Sequence, residues 1–195
     1  MTLNTLHDEM RACRRCLVAG FSITPGAIFS GPTSARVMIV GQAPGVTEVQ
    51  AQRPFNASSG RRLFQWLAKA GWDEDNFRAT QYMTAITKCY PGKSPGGRGD
   101  RAPSRAEQKL CAPFLEREIA LVQPEIIIPV GGLAIRRFLG KIKLVDAVGA
   151  ITQDEKSRWI VPLPHPSGAS LWLNKPEHQA LVERAIEHLR RLNLK

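Results

Sequence analysis

The chain has 195 residues, 43% of them hydrophobic and 23% charged, values close to globular averages that argue against a disordered tail or a fibrous repeat. Its 27 Lys and Arg stand against 17 Asp and Glu, and the resulting charge of +10 favours a polyanion, nucleic acid ahead of an acidic membrane surface, because each neutralised phosphate releases counterions. The first 30 residues carry Asp8, Glu9, Arg11, Arg14 and Arg15 without an apolar run of signal-peptide length, and no stretch approaches a membrane span, so the sequence predicts one cytoplasmic domain over residues 1–195.

In chain order, Cys13 and Cys16 come first, as a Cys-x-x-Cys pair. The apolar run at 37–40 is short and β-branched, as a strand covered on both faces should be. It leads into a loop holding Gly41, Pro44, Gly45, Glu48 and Phe55. Behind Ser58 and Ser59, the stripe of Leu63, Phe64, Trp66, Leu67 and Ala70 predicts a helix ending at Gly71. A second strand is expected over 82–87, followed by Cys89 and a Gly/Pro-rich loop at 91–104. Ser104 and Glu107 have capping-box spacing and open a helix through Cys111, Leu115, Ile119 and Val122. A strand over 126–130, a helix over 133–139 stopped by Gly140, a strand over 159–163 and a helix from about Pro176 complete the pattern. Strands alternating with helices predict a three-layer α/β/α sandwich around a mostly parallel, four-stranded sheet. In such sheets ligands sit at the carboxyl ends of the strands, which directs attention to the loops at 41–60, 89–104 and 164–174.

With thiols reduced in the cytoplasm, the four cysteines read as ligands before disulfides. A close pair and two distant cysteines can close one four-thiolate shell, suited to zinc or an iron-sulfur cluster. The absence of a second close pair tilts the reading toward a cluster. In the loop after the first strand, Gly41 and Gly45 let backbone approach a ligand while Pro44 sets the turn, and Phe55 offers a flat heterocycle a stacking platform.

Taken together, "VMIVGQAPG", Glu48, "RPF", "SGRRLFQWLAKAG", "YMTAITKC", the helix containing Cys111 and "HPS" resemble the uracil-DNA glycosylase superfamily, closest to its family 4, the iron-sulfur type. The resemblance spans nearly the whole chain. It implies a 4Fe-4S cluster on Cys13, Cys16, Cys89 and Cys111, with zinc the weaker alternative, and a monomeric hydrolase that excises a deaminated base flipped out of DNA. It places Phe55 on the flipped base, His165 at the base's O2, and the turn of Gly41, Gln42 and Ala43 on the other side. No lysine stands in an obvious nucleophile position, which implies a monofunctional enzyme.

The departures are informative. The best-known branch of the superfamily has Asp where this chain has Ala43, and family 4 usually has Glu where it has Gln42. Glu48 is then the candidate for orienting water or steadying the cationic sugar. Family 4 usually reads Thr-Asn where this chain has Thr84-Ala85, and a methyl group cannot hydrogen-bond a base edge. Either Asn56 or backbone contacts substitute and uracil remains the base, or the enzyme takes another deaminated base such as hypoxanthine or xanthine. In the loop after His165, Ser167 and a wedge at Leu171, with Trp172 behind it, are expected in the minor groove, and Lys93, Arg98, Arg101 and Arg105 along phosphates. A noncatalytic iron-sulfur module that binds damaged DNA is the competing expectation.

Overall fold

The structure is a computed structural model that describes residues 1–96, 99–167 and 171–194. The chain begins with helices α1 (Leu3–Ala12) and α2 (Arg15–Val18) and enters the sheet at β1 (Val37–Gly41). Then follow α3 (Val46–Ala51), α4 (Ser58–Lys69), α5 (Glu74–Thr80), β2 (Tyr82–Ala85), α6 (Arg105–Val122) and β3 (Ile126–Pro129). Helices α7 (Gly132–Leu139) and α8 (Leu144–Ala147), strands β4 (Thr152–Gln153) and β5 (Trp159–Ile160), a 3-10 turn (Leu171–Asn174) and α9 (Pro176–Asn193) complete it.

The sheet has the order β2-β1-β3-β5-β4, with every pairing parallel except that of β4 with β5. The four expected strands are present. The fifth, β4, is a two-residue exposed edge with too little apolar pattern to be visible in the sequence. All residues of β1, β2 and β3 are buried, as runs without polar alternation require. Helices cover both faces. Val37, Ile39, Met83 and Ile128 pack with Leu63, Phe77, Val182 and Leu189 from α4, α5 and α9. Met38, Val40, Tyr82 and Ile127 pack with Leu6, Met10, Phe114 and Leu115 from α1 and α6. Among the described residues no helix is long and apolar enough to cross a membrane.

The local signals act as expected in three places. Ser104 Oγ accepts the Glu107 N–H while the Glu107 carboxylate accepts the Ser104 N–H, closing the capping box of α6. Gly140 terminates α7 at φ 71, and Pro176 stands in the first turn of α9. Beyond those expectations, residues 24–30 run antiparallel along the outer side of β2: the Ser30 N–H donates to Met83 O, the Met83 N–H returns to Ser30 O, and the Ile28 N–H donates to Lys88 O.

Between the sheet and α6 lies a buried polar knot. Lys88 and Glu118 are 1% and 0% exposed, and their side chains meet at 2.6 Å. The ammonium also donates to Thr84 Oγ1 and to Ala85 O, and the hydroxyls of Tyr82 and Thr84 both donate to Glu118 Oε1. Burial beside Glu118 raises the Tyr82 phenol above its ordinary pKa, so it remains a donor. Removing one partner strands a charge in apolar surroundings, whereas removing both does not. Lys88→Met is therefore expected to lower unfolding free energy by about 3 to 5 kcal/mol in urea titrations, and Lys88→Met with Glu118→Leu to recover most of that loss. A double variant as unstable as the single one would contradict this account.

Candidate active site

Strand β1 is flanked by β2 on one side and β3 on the other, so its connection to β2 and the one from β3 to β5 leave in opposite directions. The crevice this creates at the carboxyl ends of the strands is where α/β sheets bind ligands. Gly41, Ala85 and Val130, from the ends of β1, β2 and β3, line one pocket there with His165, which follows β5. Gln42, Ala43 and Pro44 form a second wall, and Ile28, Glu48, Pro54, Phe55, Ser59, Thr84 and Pro166 close the rest. Parallel register sets this level, because Gly41 pairs with Ala85 and Val40 with Pro129.

Phe55 reaches the pocket in a conformation that bulky residues avoid. Its φ is 51, in the left-handed region, which costs a non-glycine residue on the order of 1 to 3 kcal/mol unless neighbours enforce it. They do. The Phe55 N–H donates to Glu48 Oε1, and the Phe55 and Pro54 carbonyls accept from the two terminal nitrogens of Arg78 at 2.9 and 2.8 Å. The ring lies over Gly41, where an added Cβ would stand 3.1 Å from Cζ. At Gly60 an added Cβ would fall 1.8 Å from the Phe55 carbonyl oxygen. Glycine at 41 leaves room for the ring, and glycine at 60 leaves room for the backbone that turns it.

Glu48 stands at the third position of α3. Its Oε2 accepts the N–H of the cap residue Gly45 and its Oε1 that of Phe55, so both carboxylate oxygens hold backbone. Burial raises its pKa, and the two amide bonds oppose that shift.

His165 stands at the pocket mouth against Gly131, whose φ of 87 is a backbone conformation that residues with a side chain rarely adopt. Its Nδ1 accepts the Ser167 N–H at 3.3 Å, which leaves the proton of the neutral ring on Nε2. Desolvation by the pocket wall lowers its pKa below 6.5. A neutral imidazole with one directed N–H donor is the result.

A groove continues from the pocket past Gly45, Val46, Ala57, Gly131 and Gly132, the starts of α3, α4 and α7, to Asp100, Arg101 and Ser167. Unpaired amides at helix starts favour anions. Two of the three expected phosphate ligands among the described residues are engaged by carboxylates: Arg101 makes a two-point pair with buried Glu107 at 2.6 and 2.8 Å, and Lys93 meets Asp100 at 3.0 Å. Arg105 is exposed at the start of α6. Arg98 lies outside the described residues. Leu171 is 79% exposed, whereas the indole of Trp172 is half-buried and stacks on His178 at 4.2 Å.

Some distance along the chain but close in space, Cys13, Cys16, Cys89 and Cys111 line a second, largely apolar cavity with Ile23, Leu110 and Phe114. The Lys88 N–H donates to Cys111 Sγ at 3.4 Å and the Gly26 N–H to the Cys89 thiol. Burial pushes the thiol of Cys89 up to about 11 and raises those of Cys16 and Cys111. The Thr87 hydroxyl, on the cavity wall, is buried without a hydrogen-bond partner. Among the described residues no three His, Cys, Asp or Glu side chains are grouped to hold a single metal ion.

A family model described as the uracil DNA glycosylase superfamily matches residues 28–190. The chain belongs to this superfamily. Among its relatives are proteins named type-4 uracil-DNA glycosylase: one from Sulfurisphaera tokodaii is 26% identical over 98% of this chain and 84% of its own. One from Pyrobaculum aerophilum is 32% identical over 67% and 61%, and one from Saccharolobus solfataricus 26% identical over 93% and 82%.

Within this uracil-DNA glycosylase superfamily chain, Gly41, Gln42, Ala43, Glu48, Phe55, Ala85 and His165 come together at one pocket. Asn56 is half-buried and lines neither the pocket nor the adjoining groove, so its amide does not fill the space above Ala85. The polar residues lining the pocket are Gln42, Glu48, Ser59, Thr84 and His165, of which Ser59 and Thr84 were not assigned to the base from the sequence. Arg78 and Gly131 carried no motif of their own, and Gly60 stood in one without a stated role; what they do for Phe55 and His165 exists only once α4, α5 and the end of β3 pack beside the loops. The His165 ring is expected to titrate below 6.5 and to show the Nε2–H tautomer in nitrogen-detected NMR at pH 7; a midpoint above 6.5 or a proton on Nδ1 would contradict the geometry.

Proposed function

We propose that the protein is a monofunctional DNA glycosylase of base-excision repair that hydrolyses the N-glycosidic bond of a flipped, deaminated base, uracil first and hypoxanthine or xanthine next. The observation that carries this reading is the meeting of the Phe55 ring, the Gly41 turn and the neutral His165 at one pocket. A base extruded from the duplex stacks on Phe55, a contact worth about 1 to 3 kcal/mol. As the bond to the sugar breaks, negative charge grows on a base oxygen, and the Nε2–H of His165 donates to it. An imidazole that starts neutral strengthens this bond as charge develops and need not lose a proton.

With both oxygens holding backbone amides, Glu48 serves foremost to fix the loop, and as a carboxylate in the wall it steadies the positive charge that develops on the sugar. Neither Gln42 nor Ala43 offers a carboxylate, so water attack relies on the cationic character of the sugar more than on a strong base. Ala85 supports a relaxed choice of base: a site lacking hydrogen bonds to a base edge forgoes the 10⁴ to 10⁵ discrimination, roughly, that such bonds provide. The exposed Leu171 is the wedge, and the groove of helix starts takes the phosphates beside the flipped nucleotide.

The second cavity suits a 4Fe-4S cluster on Cys13, Cys16, Cys89 and Cys111. In such a cluster each thiolate takes a different iron, and the four thiols line one cavity. Amide donors already at Cys89 and Cys111 and the unpartnered Thr87 hydroxyl are groups that hydrogen-bond cluster sulfur. When bound, the cluster supplies a redox-capable tie among the N-terminal helices, the loop after β2 and α6.

Labelled oligonucleotides carrying uracil, hypoxanthine or xanthine, followed by alkaline strand scission, test the activity. Excision of at least one lesion is expected, with His165→Ala lowering the single-turnover rate by about 10² to 10³. Tight binding of lesion DNA with no excision would instead identify a noncatalytic damage-binding module. The cluster is tested separately: about four irons per chain are expected in anaerobically purified protein. Cys111→Ser should lower iron content and the unfolding temperature together, and stoichiometric zinc without iron would refute the cluster.

A further inference from the structure

We infer that Arg78 is a positioning residue for base recognition, acting from outside the pocket by holding Phe55 in its left-handed conformation; this rests on reading Phe55 as the base platform. In an extended chain successive carbonyls point to opposite sides. The left-handed turn at Phe55 brings the carbonyls of Pro54 and Phe55 to the same side, where one planar guanidinium takes both, at 2.8 and 2.9 Å. The third nitrogen, Nε, donates to Glu74 Oε1 at 2.8 Å, and the guanidinium carbon lies 4.2 Å from the centre of the Phe64 ring. The Arg78 side chain is 11% exposed. Each of its three nitrogens is used and one face is covered, so this cation is built into the wall and is not a phosphate ligand.

The clamp is three-sided. Glu48 of α3 takes the Phe55 N–H, Arg78 of α5 takes the carbonyl, and Gly60 of α4 leaves room for that carbonyl because it has no side chain. Residue 55 is thereby fixed by three separate helices while its ring projects over Gly41. Lysine in place of Arg78 retains the charge, but its donors all sit on one nitrogen and lack the planar fork that meets two carbonyls and Glu74 together.

If Arg78 acts through the Phe55 ring, its removal matters only while that ring is present, and a double-mutant cycle reads this directly. Single-turnover excision is measured for the intact protein, Arg78→Ala, Arg78→Lys, Phe55→Ala and Phe55→Ala with Arg78→Ala. Both Arg78 variants are expected to lose about 10 to 100-fold in rate, the scale of a misplaced recognition group, with affinity for undamaged duplex unchanged. In the Phe55→Ala background Arg78→Ala should cost less than about twofold. An equal loss in both backgrounds, no loss in either, or full rescue by lysine overturns the proposal. Amide hydrogen exchange supplies a reading independent of catalysis: Arg78→Lys should speed exchange of the Phe55 N–H by about tenfold or more while residues 38–40 keep their protection. Unchanged exchange at Phe55 refutes the clamp even in an active enzyme. Failure of the intact protein to excise any base refutes the glycosylase reading and leaves the exchange experiment decisive for the clamp.

Discussion

Everything at the pocket stands on the hydrogen-bonding of β1 to a parallel neighbour on each side. Gly41 pairs with Ala85, Val40 with Pro129, and the Val130 N–H continues the ladder to Val40 O. A slip of one residue in either pairing would turn alternate side chains to the wrong layer and separate Gly41 from Ala85. The strands are buried on both faces, which makes such a slip costly, and the loops above them inherit that precision. The Leu163 carbonyl accepts the Gly131 N–H, so the stretch that leads to His165 is tied to the same ladder.

On this rigid base the loops are held by polar contacts to backbone. Glu48 and Arg78 are charged residues beside the pocket that spend their hydrogen bonds on main-chain groups. Their opposite charges fix a conformation that Phe55 would not adopt alone. His165 is treated in the same manner: the Ser167 amide selects its tautomer and its surroundings keep it neutral. Among the described residues of the loop beside the pocket, Arg101 and Lys93 are matched by Glu107 and Asp100.

The stretch from Thr84 to Cys89 connects two sites. Thr84 and Ala85 line the pocket at the strand ends, whereas Thr87, Lys88 and Cys89 line the cysteine cavity. Lys88 spans them, its N–H on Cys111 and its ammonium on the Ala85 carbonyl and Thr84 hydroxyl. A group held by the four cysteines would thus brace the segment that forms the pocket floor.

How much of this was legible in the chain depends on the range of the interaction. Buried runs, the Ser104 and Glu107 cap, Gly140 and Pro176 act within a few residues, so the parallel sheet, α4, α6, α7 and α9 could be read directly. The short α3 and α5 could not, because their stripes are too brief to stand out and tertiary packing decides them. The motif residues Gly41, Phe55, Ala85 and His165 and the four cysteines were recognisable by type and order. Which of them face one another was settled by the register of the sheet. The engagement of Glu48 with two amides, the exclusion of Asn56 from the pocket, the pairing of Arg101 and the clamp of Arg78 on Phe55 belong to the folded molecule alone. Each depends on groups brought together from different helices and loops, and a linear pattern carries no record of distances across space.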